Sequence, residues 1–266
     1  MKQRGERIVT LTAYDATMAR LFDRAGVDVL LVGDSLGNLI LGMETRVAVT
    51  LEAVIHHTLA VTRGASQALV VADMPFLTYQ ISLEQALQNA ARLFQQGCAA
   101  AVKLEGGRAI ADTIRRLTEA GLPVMGNLGL TPQHVHRLGG MRRQARDEQS
   151  AAKLVSGALA LEAAGVFALV LEGIPDAVAE LVTSRLKNAT IGIGAGLHCD
   201  GQVLVSHDML GMFDFVPPFV KQYVLLRDTI PKAAREYRTT CAARDIRHPR
   251  KVRPTRRQRS SSNDAG

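Results

Sequence analysis

Short apolar, β-branched runs alternate along this chain with amphipathic stretches that open on polar caps and close on glycine. The runs fall at 8–13, 27–32, 68–72, 100–104, 123–127, 167–171, 190–194 and 202–206, and each reads as a strand. Between them, 50–63, 82–96, 108–120, 147–164 and 176–186 carry helical periodicity, with Gly97, Gly121 and Gly165 at C-terminal cap positions. Ser82 followed by Gln85 offers a capping box to the second of these helices. The runs are apolar on both faces, as strands are when a barrel interior lies on one side and helices on the other. Eight such strands predict an α/β protein, a closed (β/α)8 barrel of the TIM type; an open doubly wound sheet is the other arrangement the pattern allows. The connections after the second and seventh strands are irregular.

A length of 266 residues with 47% hydrophobic content supports one large core, so a single catalytic domain over 1–243 is expected. Its apolar runs are far too short to span a bilayer, and no secretion signal is evident. Cys98, Cys199 and Cys241 lie far apart without a paired spacing, so neither a disulfide framework nor a structural zinc site is suggested, and a reducing, cytoplasmic setting is expected. The net charge of +7 is unevenly spread. Residues 244–266 hold eight Lys/Arg against two Asp, which accounts for six of those charges and leaves a nearly neutral body. That basic, Pro-interrupted tail is expected to be disordered and solvated, with nucleic-acid attraction the lesser alternative.

Acidic residues recur where apolar strands end: Asp34, Asp73, Glu105 and Glu172. In a (β/α)8 barrel the C-terminal strand ends form the active-site face, so these carboxylates are expected to converge on one mouth. Clustered carboxylates repel unless they share a cation, and oxygen ligands suit Mg²⁺. Taken singly, each acid has an alternative role as a helix cap or an ion-pair partner. Lys103 stands two residues before Glu105 and shares its face of the strand, where it could neutralise a substrate carboxylate or pair with a barrel acid. Tyr14 either faces the mouth or is a satisfied buried tyrosine. His56 and His57 read as helix packing or surface residues rather than ligands. The glycines of 191–196 miss the dinucleotide spacing by one place and read as a turn or a close backbone approach.

The motifs TLTAYD (10–15), VDVLLVGDSLG (27–37), ADMPF (72–76), VKLEGG (102–107), GNLGLTPQ (126–133), LVLEGIP (169–175) and IGIGAG (191–196) together resemble the ketopantoate hydroxymethyltransferase family from about residue 8 to about residue 225. The resemblance implies a cytoplasmic homo-oligomer, which could be a decamer. It also implies transfer of a hydroxymethyl group from 5,10-methylenetetrahydrofolate to 3-methyl-2-oxobutanoate. By the same resemblance Asp34, Asp73 and Glu105 match magnesium positions; Asp34, Ser35, Asp73 and Lys103 match oxo-acid contacts; and Glu172 matches the proton acceptor. Asn127 stands where the family usually has His, and an amide cannot carry a proton as imidazole does. Two alternatives stay open on the sequence: a metal-dependent oxo-acid carbon–carbon lyase of the same fold, and a weakly active paralogue with an RNA-binding tail.

Overall fold

The computed structural model describes residues 1–243. Eight parallel strands close into a barrel in chain order: β1 (Ile8–Thr12), β2 (Val29–Val32), β3 (Leu69–Asp73), β4 (Ala101–Glu105), β5 (Val124–Gly129), β6 (Ala168–Glu172), β7 (Ala189–Ile193) and β8 (Gly201–Leu204), with β8 pairing back onto β1. The closed barrel, rather than the open sheet, is thus the arrangement adopted. The helices are α1 (Ala16–Arg24), α2 (Leu36–Leu39), α3 (Leu51–Gly64), α4 (Leu83–Gln95), α5 (Ala111–Glu119), α6 (Val135–Leu138), α7 (Glu148–Ala163), α8 (Asp176–Arg185), α9 (Ser206–Met209) and α10 (Leu226–Ala242). The two irregular connections are real: β2 is followed by the short α2 and a 3₁₀ turn, Arg46–Ala48, and β7 reaches β8 through the loop 194–200 without a helix.

Side chains on a strand alternate between faces, so each strand feeds two cores. One lies between sheet and helices and includes Leu30, Val70, Leu104, Leu169 and Leu171, together with the buried helix faces. The other fills the barrel with Val29, Leu31, Val71, Ala101, Met125, Ala168, Val170, Ile191 and Val203. Further along the same inward rows come Asp73 two residues after Val71, Lys103 and Glu105 two and four after Ala101, Asn127 two after Met125, and Glu172 two after Val170. The lower barrel is therefore mostly apolar, with Thr10 its buried hydroxyl, and polarity rises toward the C-terminal strand ends.

Local chemistry sets the helix boundaries. Thr50 Oγ1 accepts from the Ala53 N–H at the start of α3, and Asp15 accepts from Thr17 and Met18 at the start of α1. Ser82 Oγ accepts from the Gln85 N–H, but Gln85 Oε1 has no partner, so only half of the expected capping box forms at α4; the complete box is at α7, between Asp147 and Ser150. Gly121 and Gly165 take the left-handed conformation after α5 and α7, as expected. After α4 that conformation falls instead on Cys98, at φ 55°, and Gly97 is required for another reason: a Cβ there would lie 2.7 Å from the Leu93 carbonyl oxygen. Contacts divide the chain into a barrel unit, Met1–Val224, and a unit from Leu225 onward whose described part is α10. No helix among the described residues is long and apolar enough to cross a membrane. The basic tail expected at 244–266 lies outside the described residues.

Candidate active site at the barrel mouth

A small pocket of about 50 Å³ opens at the C-terminal strand ends, lined by Asp34, Ser35, Asp73, Lys103, Glu105 and Glu172 among others. Every residue that the sequence reading placed at a site is therefore brought to one place. Asn127, Arg46 and Thr12 line the same pocket.

Asp34, Asp73 and Glu105 are buried, and each offers a carboxylate oxygen within 4.8 Å of the other two. The cluster is braced from several directions. Asp73 Oδ2 accepts from the Asp34 backbone N–H at 3.2 Å, and Glu105 Oε2 accepts from the Gln133 N–H at 3.1 Å. Lys103 Nζ lies 2.9 Å from Asp73 Oδ1 and 3.4 Å from Glu105 Oε1. Asp34 Oδ2, by contrast, is buried without a partner. A hard divalent cation fits this donor set: it would complete the open oxygen and relieve repulsion among three acids.

Burial governs the protonation of these groups. It pushes the Asp73 carboxyl up to about 6 against the opposing pull of Lys103, and raises Glu105 well above its ordinary value in the same way. Glu172 is pushed up to about 7 by desolvation, which Lys103, Arg46 and a hydrogen bond from Asn127 oppose and the Asp34 charge reinforces. Asn127 is fully buried, and its Nδ2 also donates to the Leu130 carbonyl at 3.1 Å. Its Oδ1 has no partner, and the amide cannot carry a proton as an imidazole does.

Ser35 is positioned by a chain of contacts. Its Oγ lies 2.7 Å from the Tyr14 hydroxyl, and the Tyr14 backbone carbonyl lies 2.6 Å from His57 Nδ1. Tyr14 is thus the satisfied buried tyrosine of the two alternatives, at 2% exposure, with its phenol pushed up to about 12 mainly by desolvation. His57 braces the loop and is no pocket ligand, as its helical placement suggested. The glycine segment is a turn: Gly194 and Gly196 have positive φ, and Gly196 packs against Asp176.

Three positions that brace or line the pocket escaped the sequence reading. Tyr79 is buried with its hydroxyl between the Glu105 backbone and Gln133 Oε1, and Gln133 Nε2 donates to the Met74 carbonyl, so together they fix the Glu105 end of the cluster. Arg46 places Nη1 3.4 Å from Asp34 Oδ1. Tyr79 sits in a bend and Arg46 and Gln133 in short 3₁₀ turns, where no strand period reports which way a side chain faces. For Arg46 the irregular connection after β2 was the available signal.

Comparison with known proteins gives a consistent result. A family model described as ketopantoate hydroxymethyltransferase matches residues 1–249. A curated 3-methyl-2-oxobutanoate hydroxymethyltransferase of Moorella thermoacetica is 55% identical over 239 residues, covering 90% of this chain and 89% of that protein. The enzyme of the same description from Trichodesmium erythraeum is 52% identical over 249 residues, covering 93% and 95%. Among solved structures, 2,3-dimethylmalate lyase superposes with a TM-score of 0.60 at 17% identity, covering 96% of this chain and 88% of that one. A phosphonopyruvate hydrolase solved with oxalate and Mg²⁺ gives 0.62 at 11% identity, covering 92% and 86%. At these identities the two structures share the fold alone.

Proposed function

Because the chain belongs to the ketopantoate hydroxymethyltransferase family, we propose that its barrel mouth transfers a hydroxymethyl group from 5,10-methylenetetrahydrofolate to 3-methyl-2-oxobutanoate, forming 2-dehydropantoate. The observation that carries the assignment to this pocket is its division of carboxylates: Asp34, Asp73 and Glu105 clustered within 4.8 Å, and Glu172 in the same pocket but outside the cluster. Four acids face two cations, Arg46 and Lys103, in that lining, which leaves two negative charges unbalanced when all are ionised. The imbalance and the open Asp34 oxygen suit Mg²⁺ held by Asp34, Asp73 and Glu105. When bound there, Mg²⁺ would supply Lewis-acid stabilisation of charge on the keto oxygen, worth several kcal/mol.

The chain's own groups divide the remaining work. Lys103, tied to Asp73 and Glu105, adds positive charge where the oxo acid's oxygens would lie. Ser35, oriented by Tyr14, offers a hydroxyl to the same end of the substrate. Glu172 takes the C3 proton; its pKa near 7 matches a general base working at neutral pH. The deprotonated carbon then forms a C–C bond to the folate's methylene carbon, and water supplies the hydroxyl. Both C–N bonds to that carbon break to release tetrahydrofolate, whose two new N–H protons balance the one lost from C3 and the one lost from water. Asn127 supports the Glu172 carboxylate through its amide. On this reading the protein works as a cytoplasmic homo-oligomer.

Product analysis tests the assignment. Incubation of 3-methyl-2-oxobutanoate with Mg²⁺ and 5,10-methylenetetrahydrofolate is expected to yield 2-dehydropantoate, and omission of the folate to yield none. Folate-independent cleavage of an oxo-acid carbon–carbon bond, with no hydroxymethylated product, would replace it with the lyase alternative.

A further inference from the structure

The pocket holds two cations, and only one is fully engaged by protein acids. The Lys103 ammonium sits between Asp73 and Glu105 with 5% of its side chain exposed. Arg46 carries five N–H donors in a planar fork. Its nearest acid is Asp34, at a long 3.4 Å from Nη1, and its Nε is buried without a partner. The side chain keeps 26% of its surface open where that of Asp34 keeps 4%, and Arg46 lines the mouth pocket that an entering anion would occupy.

Its presentation is built into the fold. Arg46 opens the 3₁₀ turn Arg46–Ala48, in which Thr45 Oγ1 accepts from the Val47 N–H at 3.3 Å. Four residues on, Thr50 caps α3, so the turn is fastened on both sides. A guanidinium fork on a fixed turn matches the two oxygens of a carboxylate better than an ammonium does.

We infer that Arg46 is the specificity-determining anion partner of this pocket: its guanidinium receives the carboxylate of the 2-oxo acid, while Lys103 remains bound to Asp73 and Glu105. The inference rests on the oxo-acid reading of the pocket and adds a residue to it. A charge-assisted bond to a carboxylate predicts a loss of about 10- to 100-fold in oxo-acid affinity when the guanidinium is removed.

Calorimetric titration of 3-methyl-2-oxobutanoate and of oxalate, each with Mg²⁺ present, tests it on the wild type and on Arg46→Met and Arg46→Lys. Both ligands are expected to bind Arg46→Met about 10- to 100-fold more weakly, with Arg46→Lys intermediate. KM for the oxo acid should rise by a similar factor while kcat changes far less, and guanidinium ion added to Arg46→Met should restore part of the affinity. If Arg46 only balances the Asp34 charge, Arg46→Met would bind Mg²⁺ more tightly and the oxo acid as well as the wild type does, which overturns the inference. Arg46→Lys serves as the test variant if Arg46→Met does not fold, and oxo-acid affinity equal to the wild type in either variant is decisive against the assignment. If the wild type bound Mg²⁺ but neither anion, the oxo-acid reading would fall and the inference with it, an outcome distinct from equal binding by wild type and variants.

Discussion

Replacing Glu172 by Gln keeps its size and hydrogen-bonding capacity and removes only the ability to accept a proton. With Asp34, Ser35 and Asp73 untouched, oxo-acid affinity should survive. Exchange of the C3 proton should fall by about 10² to 10⁴, the range for a lost general base. A parallel loss of Mg²⁺ affinity would instead make Glu172 a ligand. The base also predicts a pH profile. Its carboxyl is pushed up to about 7 by burial, so it is mostly protonated and idle below that pH and ionised above it. Exchange should therefore rise about tenfold per pH unit on the acid side and level off above about 7; a rate flat between pH 5 and 8 would exclude this group. At this scale Asp73, Lys103, Glu105 and Glu172 were legible because the strand period of two fixes their face once the apolar neighbours are known. Arg46, Tyr79 and Gln133 were hidden in bends and short 3₁₀ turns, where direction depends on contacts between segments distant in sequence, such as Tyr79 with Glu105.

Strand ends hold the site in register, and glycine does much of this at β5. Gly129 has φ +96°, and a Cβ there would meet the Glu172 carbonyl and lie 2.6 Å from Ile174 Cγ2. Gly121, after α5, has φ +87° with nothing within 4 Å of its Cβ position. Gly121→Ala should thus cost only backbone strain, about 1–2 kcal/mol, and leave turnover unchanged. Gly129→Ala adds overpacking of about 1–3 kcal/mol and should lower turnover as well, because the β6 end that carries Glu172 must shift. Thermal melts with turnover measured on both variants check the contrast; equal effects would show that the β5–β6 fit does not position the base. All eight strands were readable as short, mostly apolar and β-branched runs, although β1 carries Thr10 and Thr12 and β8 carries Gln202. Helix α1 was not, because its inward stripe is thin: only Ala19 and Phe22 are buried. Helix α10 buries no residue, so no apolar period marks it. Cys98 replaced Gly97 at the left-handed position because composition reports which residue tolerates positive φ, not which one must adopt it.

Across the whole molecule, charge and catalysis are separate in sequence. Six of the seven net positive charges fall in 244–266, away from every pocket residue. Deleting 244–266 should leave turnover within about twofold and the melting temperature nearly unchanged, as for a terminal segment that buries little; a large drop in melting temperature would show that it docks on the body. The barrel itself was legible as a count of alternating elements, whereas its closure depends on β8 pairing with β1, a contact between the two ends of the domain. The mouth that this closure creates is the centre of the account. Its most direct test is the exchange of tritium from C3 of 3-methyl-2-oxobutanoate, measured without folate, first with Mg²⁺ and then with excess chelator. Enzyme-dependent exchange that stops on chelation and returns with added Mg²⁺ is the expected result; exchange indifferent to the cation, or none with Mg²⁺ present, would contradict the assignment of Asp34, Asp73, Glu105 and Glu172.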